Sequence, residues 1–428
     1  MKKYLLALLL ALIMPELTYA QEFDKYFTDE TIRLDYVFSG NAQEQHISLD
    51  QLIRLPNWAG RRSRLAELPL AGNGDLTVKD SETQTIIYRH SFSSLFQEYI
   101  ESDEAKTEIQ RTYESCFLMP MPKQKVDVEI RLFSSRRNIQ ASLHHSIDPE
   151  DILIRRWNTN HITPHRYILQ GDLPEKCIDV AILAEGYTKE EMESFYDDAR
   201  KTVEAFKKHQ VFAKNIDKFN FVAVASESTD SGVSVPRLGD WKNTAFDSHF
   251  STFYSPRYLT TEHVRNIHNA LAGIPYEHII ILANTHEYGG GGIYNHYTLT
   301  TAHNDNFEPV VVHEFGHSFG GLGDEYFYEN DPLATSTYPT DIEPWEPNLT
   351  TLNNFDSKWK HLLKKGTLIP TPIEQKDKYP LGVFEGGGYV FHGVFRPADD
   401  CRMRTNTCKD FCPACAYAIE NIINFYTK

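Results

Sequence analysis

Basic residues are in short supply in this chain. Lys and Arg number 43 against 59 Asp and Glu, a formal net charge of −16 over 428 residues. Nucleic acid and anionic lipid surfaces are held by clustered Lys and Arg, so the deficit argues against both as partners. The acidic residues are dispersed, as on an ordinary solvated surface. Long apolar runs are equally scarce. After the first twenty residues, no stretch approaches the roughly 20 apolar positions of a membrane-spanning helix. Internal repeats and low-complexity tracts are also absent.

The one early apolar run has a different character. MKKYLLALLLALIMPELTYA combines a basic start at Lys2 and Lys3, an apolar stretch from Tyr4 to Met14, and small residues Thr18 and Ala20 before Gln21. That is the pattern of a cleavable signal peptide over residues 1–20, cut near Ala20. Pro15 and Glu16 interrupt the run too early for an anchor, and no Cys follows the cut to carry a lipid. The expectation is a secreted, periplasmic or cell-surface protein. In that setting the six cysteines, Cys116, Cys177, Cys401, Cys408, Cys412 and Cys415, read first as disulfides. Four of them crowd into CRMRTNTCKDFCPAC, where a structural zinc knuckle is the alternative. Only Cys412 and Cys415 have the C-x-x-C spacing of such a knuckle, so disulfides are favoured there.

Two domains are expected, with an α+β architecture overall. Residues 21–160 alternate in short extended runs, for example Val126, Val128, Ile130 and Leu132, between Asn, Gly, Asp and Pro turns. Such alternation marks half-buried antiparallel strands, and the segment reads as an immunoglobulin-like β-sandwich. Its histidines, His46, His90, His144 and His145, are scattered and form no constellation. Residues 161–428 read as an α/β domain. CIDVAILA (177–184), FNFVAVAS (219–226) and HIIILAN (278–284) are apolar enough for strands of a largely parallel sheet. Thr188 and Glu191 form a capping box ahead of a helix to Phe206, and another helix is expected near 261–272. Four glycines at 289–292 precede a β-rich run that suits either a flexible turn or an edge strand lining a cleft. Residues 330–372, rich in Pro, Thr and Asn, read as a long loop beside the site.

The strongest signal is VVHEFGHSFGGLGDEY. His313 and His317 stand four apart, so on a helix their imidazoles project from one face and can hold one ion. Zinc accepts two such nitrogens and keeps a position open for water when it has three protein ligands. Glu314 is placed to take a proton from that water. Gly320 and Gly321 end the helix and turn the chain back toward the metal. The third ligand is then expected among the residues just after the turn, Asp324 or Glu325. Tyr294, Tyr297 and Tyr326 are candidate oxyanion donors, and His286, His296 and His303 are candidate cleft residues.

His313, Glu314, His317 and Gly320 resemble the HExxHxxGxx pattern of the metzincin clan, in which His or Asp follows directly and a methionine turn lies beneath the zinc. Here the expected ligand position is Gly323, and Asp324 comes one residue late. The resemblance to Asp-ending members favours Asp324, and it casts Met403 in DCRMRT as the methionine turn. HEFGHSFGGLGDEY, the CRMR segment and FCPAC ahead of a final helix together resemble the bacterial IgA-cleaving metallopeptidases, over roughly residues 175–428. That resemblance implies a metzincin-like zinc-peptidase domain with one catalytic Zn2+ and Glu314 as general base. The expected activity is endopeptidase cleavage of extracellular proteins or glycoproteins, with immunoglobulin among the candidates. A non-enzymatic surface binding protein retaining the fold is the alternative, and an intact Glu314 speaks against it. An amidase acting on cell-wall peptide ranks last.

Overall fold

A computed structural model describes residues 23–327 and 338–427, so the expected signal segment and residues 328–337 of the expected loop lie outside the described residues. No helix among those described is long and apolar enough to cross a membrane.

The N-terminal part is built from strands β1 (Phe27–Gly40), β2 (Gln45–Leu55), β3 (Gly74–Asp80), β4 (Ile86–Phe92), β5 (Arg111–Pro122), β6 (Val126–Phe133), β7 (Ile139–Ile147) and the short β8 (Arg155–Arg156), and it includes the short helix α1 (Leu95–Tyr99). They form two four-stranded sheets in the orders β5-β1-β2-β8 and β4-β3-β6-β7. Alternation sets the inner face: Val126, Val128, Ile130 and Leu132 of β6 are buried while Asp127, Glu129 and Arg131 stay half-exposed. Between the sheets, the rings of Phe38, Phe92 and Phe117 meet, with centroids 4.4 Å apart for the closest pair. The sandwich is therefore present, but its order is not the immunoglobulin one. There the first strand sits at a sheet edge, whereas β1 lies inside its sheet between β2 and β5, and β8 pairs with β2 in parallel. Alternation identifies strands; the connections that set their order leave no periodicity to read.

The second part centres on a six-stranded sheet of β9 (His165–Gln170), β10 (Ile178–Glu185), β11 (Phe219–Val224), β12 (His278–Ala283), β13 (Gly290–Ile293) and β14 (Tyr297–Thr301), in the order β13-β14-β12-β10-β11-β9. The four inner strands run parallel and the two edges antiparallel. All eight residues of β10 are buried, because both faces are covered. Val180 and Ile182 face a core shared with helices α2 (Met192–Lys207), α3 (Gln210–Lys214), α5 (Phe307–Ser318) and α6 (Pro413–Thr427). Ala181 and Leu183 face the opposite way, into a core continuous with that of the sandwich and joined by α4 (Val264–Ala270). The expected Thr188–Glu191 capping box is formed ahead of α2.

The two parts are thus welded along one face of the sheet. Arg33 and Asp35 of β1 are both wholly buried and paired at 2.8 Å, and Arg33 also reaches Asn269 of α4 at 2.9 Å. A buried charge is tolerated only when paired and hydrogen-bonded, so this contact ties β1 to α4. Residues 338–383 are mostly irregular with short 3₁₀ turns, and a hairpin of β15 (Phe384–Gly387) and β16 (Val390–Arg396) follows.

Candidate active site

Helix α5 carries the HExxH sequence. Val310, Val311, Val312 and Phe315 are buried, which turns His313, Glu314 and His317 to the half-open side. The chain then reverses at Gly321, whose φ of +60° is the left-handed conformation glycine adopts without penalty. The Gly321 N–H donates to His317 O at 3.0 Å and the Leu322 N–H to Gly316 O at 3.1 Å, closing the helix end. Residues 322–325 are thereby returned alongside the two histidines.

Three acceptor atoms converge there. Nε2 of His313 lies 3.1 Å from Nε2 of His317, and Oδ1 of Asp324 lies 3.1 and 3.3 Å from those two nitrogens. Each Nδ1 faces a carbonyl oxygen, Arg402 O at 2.9 Å for His313 and Leu322 O at 2.6 Å for His317. A carbonyl only accepts, so Nδ1 carries the proton and Nε2 presents its lone pair to the centre. Tetrahedral bonds of about 2.0–2.1 Å would hold ligand atoms about 3.3 Å apart, close to the triangle observed. The residues therefore fit a zinc-type ion. In protonation terms, Asp324 is held well below the usual carboxylate range by the two imidazoles, despite its burial. Burial works against a charged His317, yet Asp324 carries it up to about 9. The cluster calls for positive charge at its centre.

Asp324 is itself fixed. Tyr389, at the turn of the β15–β16 hairpin, donates its hydroxyl to Asp324 Oδ2, and the Gly388 N–H donates to Asp324 O at 2.7 Å. Asn348 brackets the same loop, accepting from the Gly323 N–H and donating to Gly323 O, both at 2.8 Å. Neither Tyr389 nor Asn348 was found from the sequence, since both lie far along the chain in segments without periodicity. Glu325 is not at this centre. It points away into a buried set with Cys401, Cys412 and Cys415. All six cysteines are free thiols, so the expected disulfides are not formed.

Met403 is wholly buried beneath α5. Its sulfur stands 2.7 Å from where a Cβ on Gly316 would be, so the methionine side chain packs directly against the glycine face of the helix. Its carbonyl accepts the Glu325 N–H at 2.8 Å.

The three acceptors open onto a cleft of about 760 Å³. One wall is the edge strand β13, and the opposite walls come from both parts of the chain, including Asn73, Gln97 and Glu98 of the first and Trp345 and Tyr389 of the last. Glu314 lines it beside Gly290, where a Cβ would approach Glu314 Oε1 to 3.1 Å. Burial raises the Glu314 carboxyl above its ordinary range, opposed by the two histidines. Among the tyrosines, Tyr326 and Tyr294 line the cleft, whereas Tyr297 is buried and gives its hydroxyl to Thr261 O at 2.9 Å. His286, His296 and His303 are not among the described cleft residues. His303 pairs with Asp198 at 2.8 Å, His286 bonds to His303 O, and His296 lines a separate small cavity.

A family model described as IgA Peptidase M64 matches residues 169–380 and 374–423, and one described as Peptidase M64 N-terminus matches residues 22–144. No curated protein matches the chain. The first match takes in strands β10 to β14, the HExxH helix and the cysteine-rich turn, more than half of the sequence, and the chain is accordingly a peptidase that belongs to the IgA peptidase M64 family.

Proposed function

We propose that this peptidase is an exported, zinc-dependent endopeptidase of metzincin-like construction, with His313, His317 and Asp324 as ligands and Glu314 as general base. The observation that carries the reading is the triangle of two imidazole nitrogens and one carboxylate oxygen, 3.1–3.3 Å on a side, at the floor of a cleft. When bound there, the ion supplies Lewis acidity that makes water a nucleophile near neutral pH and polarises the peptide carbonyl.

The chain's own residues do the rest. Glu314, its carboxyl raised above the ordinary range by burial, takes the proton from the attacking water and returns it to the leaving amine. Tyr326 on the cleft wall offers a hydroxyl to the oxyanion. Met403 underlies the helix as the methionine turn.

Strand β13 orients the substrate. In an antiparallel pair, alternate residues turn their main-chain groups outward. The Gly290 N–H is given to Arg257 O and Tyr294 O takes the Ser93 N–H, so Gly292 between them is where a substrate strand adds its hydrogen bonds. Main-chain pairing of this kind accepts many sequences and suits cleavage within a protein chain. Export rests on the residue pattern of positions 1–20, and immunoglobulins or other extracellular glycoproteins are the substrates to try first.

The test is Glu314→Gln. Metal content should be unchanged and hydrolysis of a panel of immunoglobulins, mucins and peptides should fall by roughly a thousandfold, with a chelator abolishing wild-type cleavage. Retained cleavage by the variant, read by mass spectrometry, would remove Glu314 from the mechanism.

A further inference from the structure

Behind the first site, the chain gathers a second set of ligand-type side chains. The sulfurs of Cys401, Cys412 and Cys415 and one carboxylate oxygen of Glu325 lie within 4.8 Å of one another, and all four residues are buried. Glu325 is wholly buried. Its Oε1 accepts from Asn348 Nδ2 at 3.0 Å and faces Cys415 Sγ at 3.0 Å, while its Oε2 has no hydrogen-bond partner. The Cys412 N–H points at Cys401 Sγ at 3.2 Å and the Cys415 N–H at Cys412 Sγ at 3.5 Å. From this convergence we propose a second metal site, in which Cys401, Cys412, Cys415 and Glu325 hold a structural zinc-type ion.

The rival arrangement is a disulfide between two of the three thiols. It would strand the third thiol against a buried carboxylate with one oxygen unsatisfied, which is costly in a dry interior. A divalent cation uses all four groups, with the thiol protons released to solvent. Four protein ligands close the coordination shell, as in structural rather than catalytic zinc sites. Cys412 and Cys415 at the head of α6 have the C-x-x-C chelating spacing. Cys408 stays outside, half-exposed, with its thiol donating to Asp410 O at 3.3 Å.

The position gives this site a task. Glu325 follows Asp324 directly, Cys401 precedes Arg402 and Met403, and the Glu325 N–H bonds to Met403 O. Arg402 O in turn orients His313. An ion here would clamp the loop bearing the third ligand, the turn beneath α5 and the head of α6 to one point. The site is argued from its own ligands and stands apart from the peptidase reading.

The experiment is metal analysis of the full chain after loading with excess zinc and desalting. Two zinc ions per chain are expected, with one retained by the His313→Ala/His317→Ala double variant. Cobalt in place of zinc should give a near-ultraviolet thiolate-to-cobalt charge-transfer band in wild-type protein, which keeps the test decisive if the double variant fails to fold. A folded double variant that retains no zinc, no thiolate band in the cobalt-loaded protein, or a non-reducing peptide map joining any two of Cys401, Cys412 and Cys415 would overturn the proposal. Failure of the peptidase reading would show separately, as absent cleavage with both ions in place.

Discussion

Replacing Gly292 by alanine should damage catalysis out of proportion to the size of a methyl group. A Cβ built on Gly292 falls 2.1 Å from the carbonyl oxygen of Glu314, 2.9 Å from its carbonyl carbon and 3.0 Å from Cβ of His317. These are backbone and helix-anchored atoms, so no side-chain rotation relieves the clash. Ordinary contact is reached only if β13 and α5 separate by roughly 1 Å. Overpacking of this kind costs about 1–3 kcal/mol of stability. A displacement of that size between substrate strand and catalytic groups costs roughly a hundredfold in rate. Gly290→Ala is the graded comparison, since its Cβ meets only the Glu314 side chain at 3.1–3.2 Å and Leu299 O at 3.2 Å. It should lose less than about 1 kcal/mol. The assay pairs urea denaturation with zinc content and kcat/KM on a cleaved peptide. Gly292→Ala with an unchanged midpoint and unchanged kcat/KM would refute the claim that β13 rests directly on the HExxH helix.

Two further outcomes are expected. Tyr389→Phe removes the donor to Asp324 Oδ2 and should weaken zinc binding about 10–100-fold, measured by competition with a chromophoric chelator; an unaltered affinity would show that Tyr389 does not position Asp324. Arg33→Ala leaves Asp35 buried without its charged partner, with only the Gln51 amide still donating to it, and should destabilise the chain by about 3–5 kcal/mol, partly recovered in the Arg33→Ala/Asp35→Ala double variant; a loss below about 1 kcal/mol in denaturant unfolding would mean the pair contributes little to the weld between the two parts.

The site was legible in the sequence where local geometry decides it. An i, i+4 histidine pair on a helix can point only one way, and Gly320–Gly321 announced the reversal after it. The strands β10 and β12 were equally plain, because burial on both faces demands an uninterrupted apolar run. The choice between Asp324 and Glu325 was not legible in the same way. Successive residues of extended chain point to opposite sides, so one must face the histidines and the other must face away. Nothing local says which is which. The structure sends Asp324 to the histidines and Glu325 to the cysteines. The expectation of disulfides failed on the same point, since spacing along CRMRTNTCKDFCPAC gave no sign that a glutamate 76 residues before Cys401 would join the cluster. The contribution of Asn73, Gln97 and Glu98 to the cleft wall was likewise hidden, being a product of how the sandwich docks on the sheet rather than of any motif.

The most direct check is a zinc-edge anomalous difference map from a crystal of the zinc-loaded protein. A peak about 2.0–2.2 Å from Nε2 of His313, Nε2 of His317 and Oδ1 of Asp324, with the Glu314 carboxylate on the cleft side of it, is the expected result. A map with no density at that point, even with zinc present elsewhere in the molecule, would contradict the assignment of the HExxH helix as the catalytic metal centre.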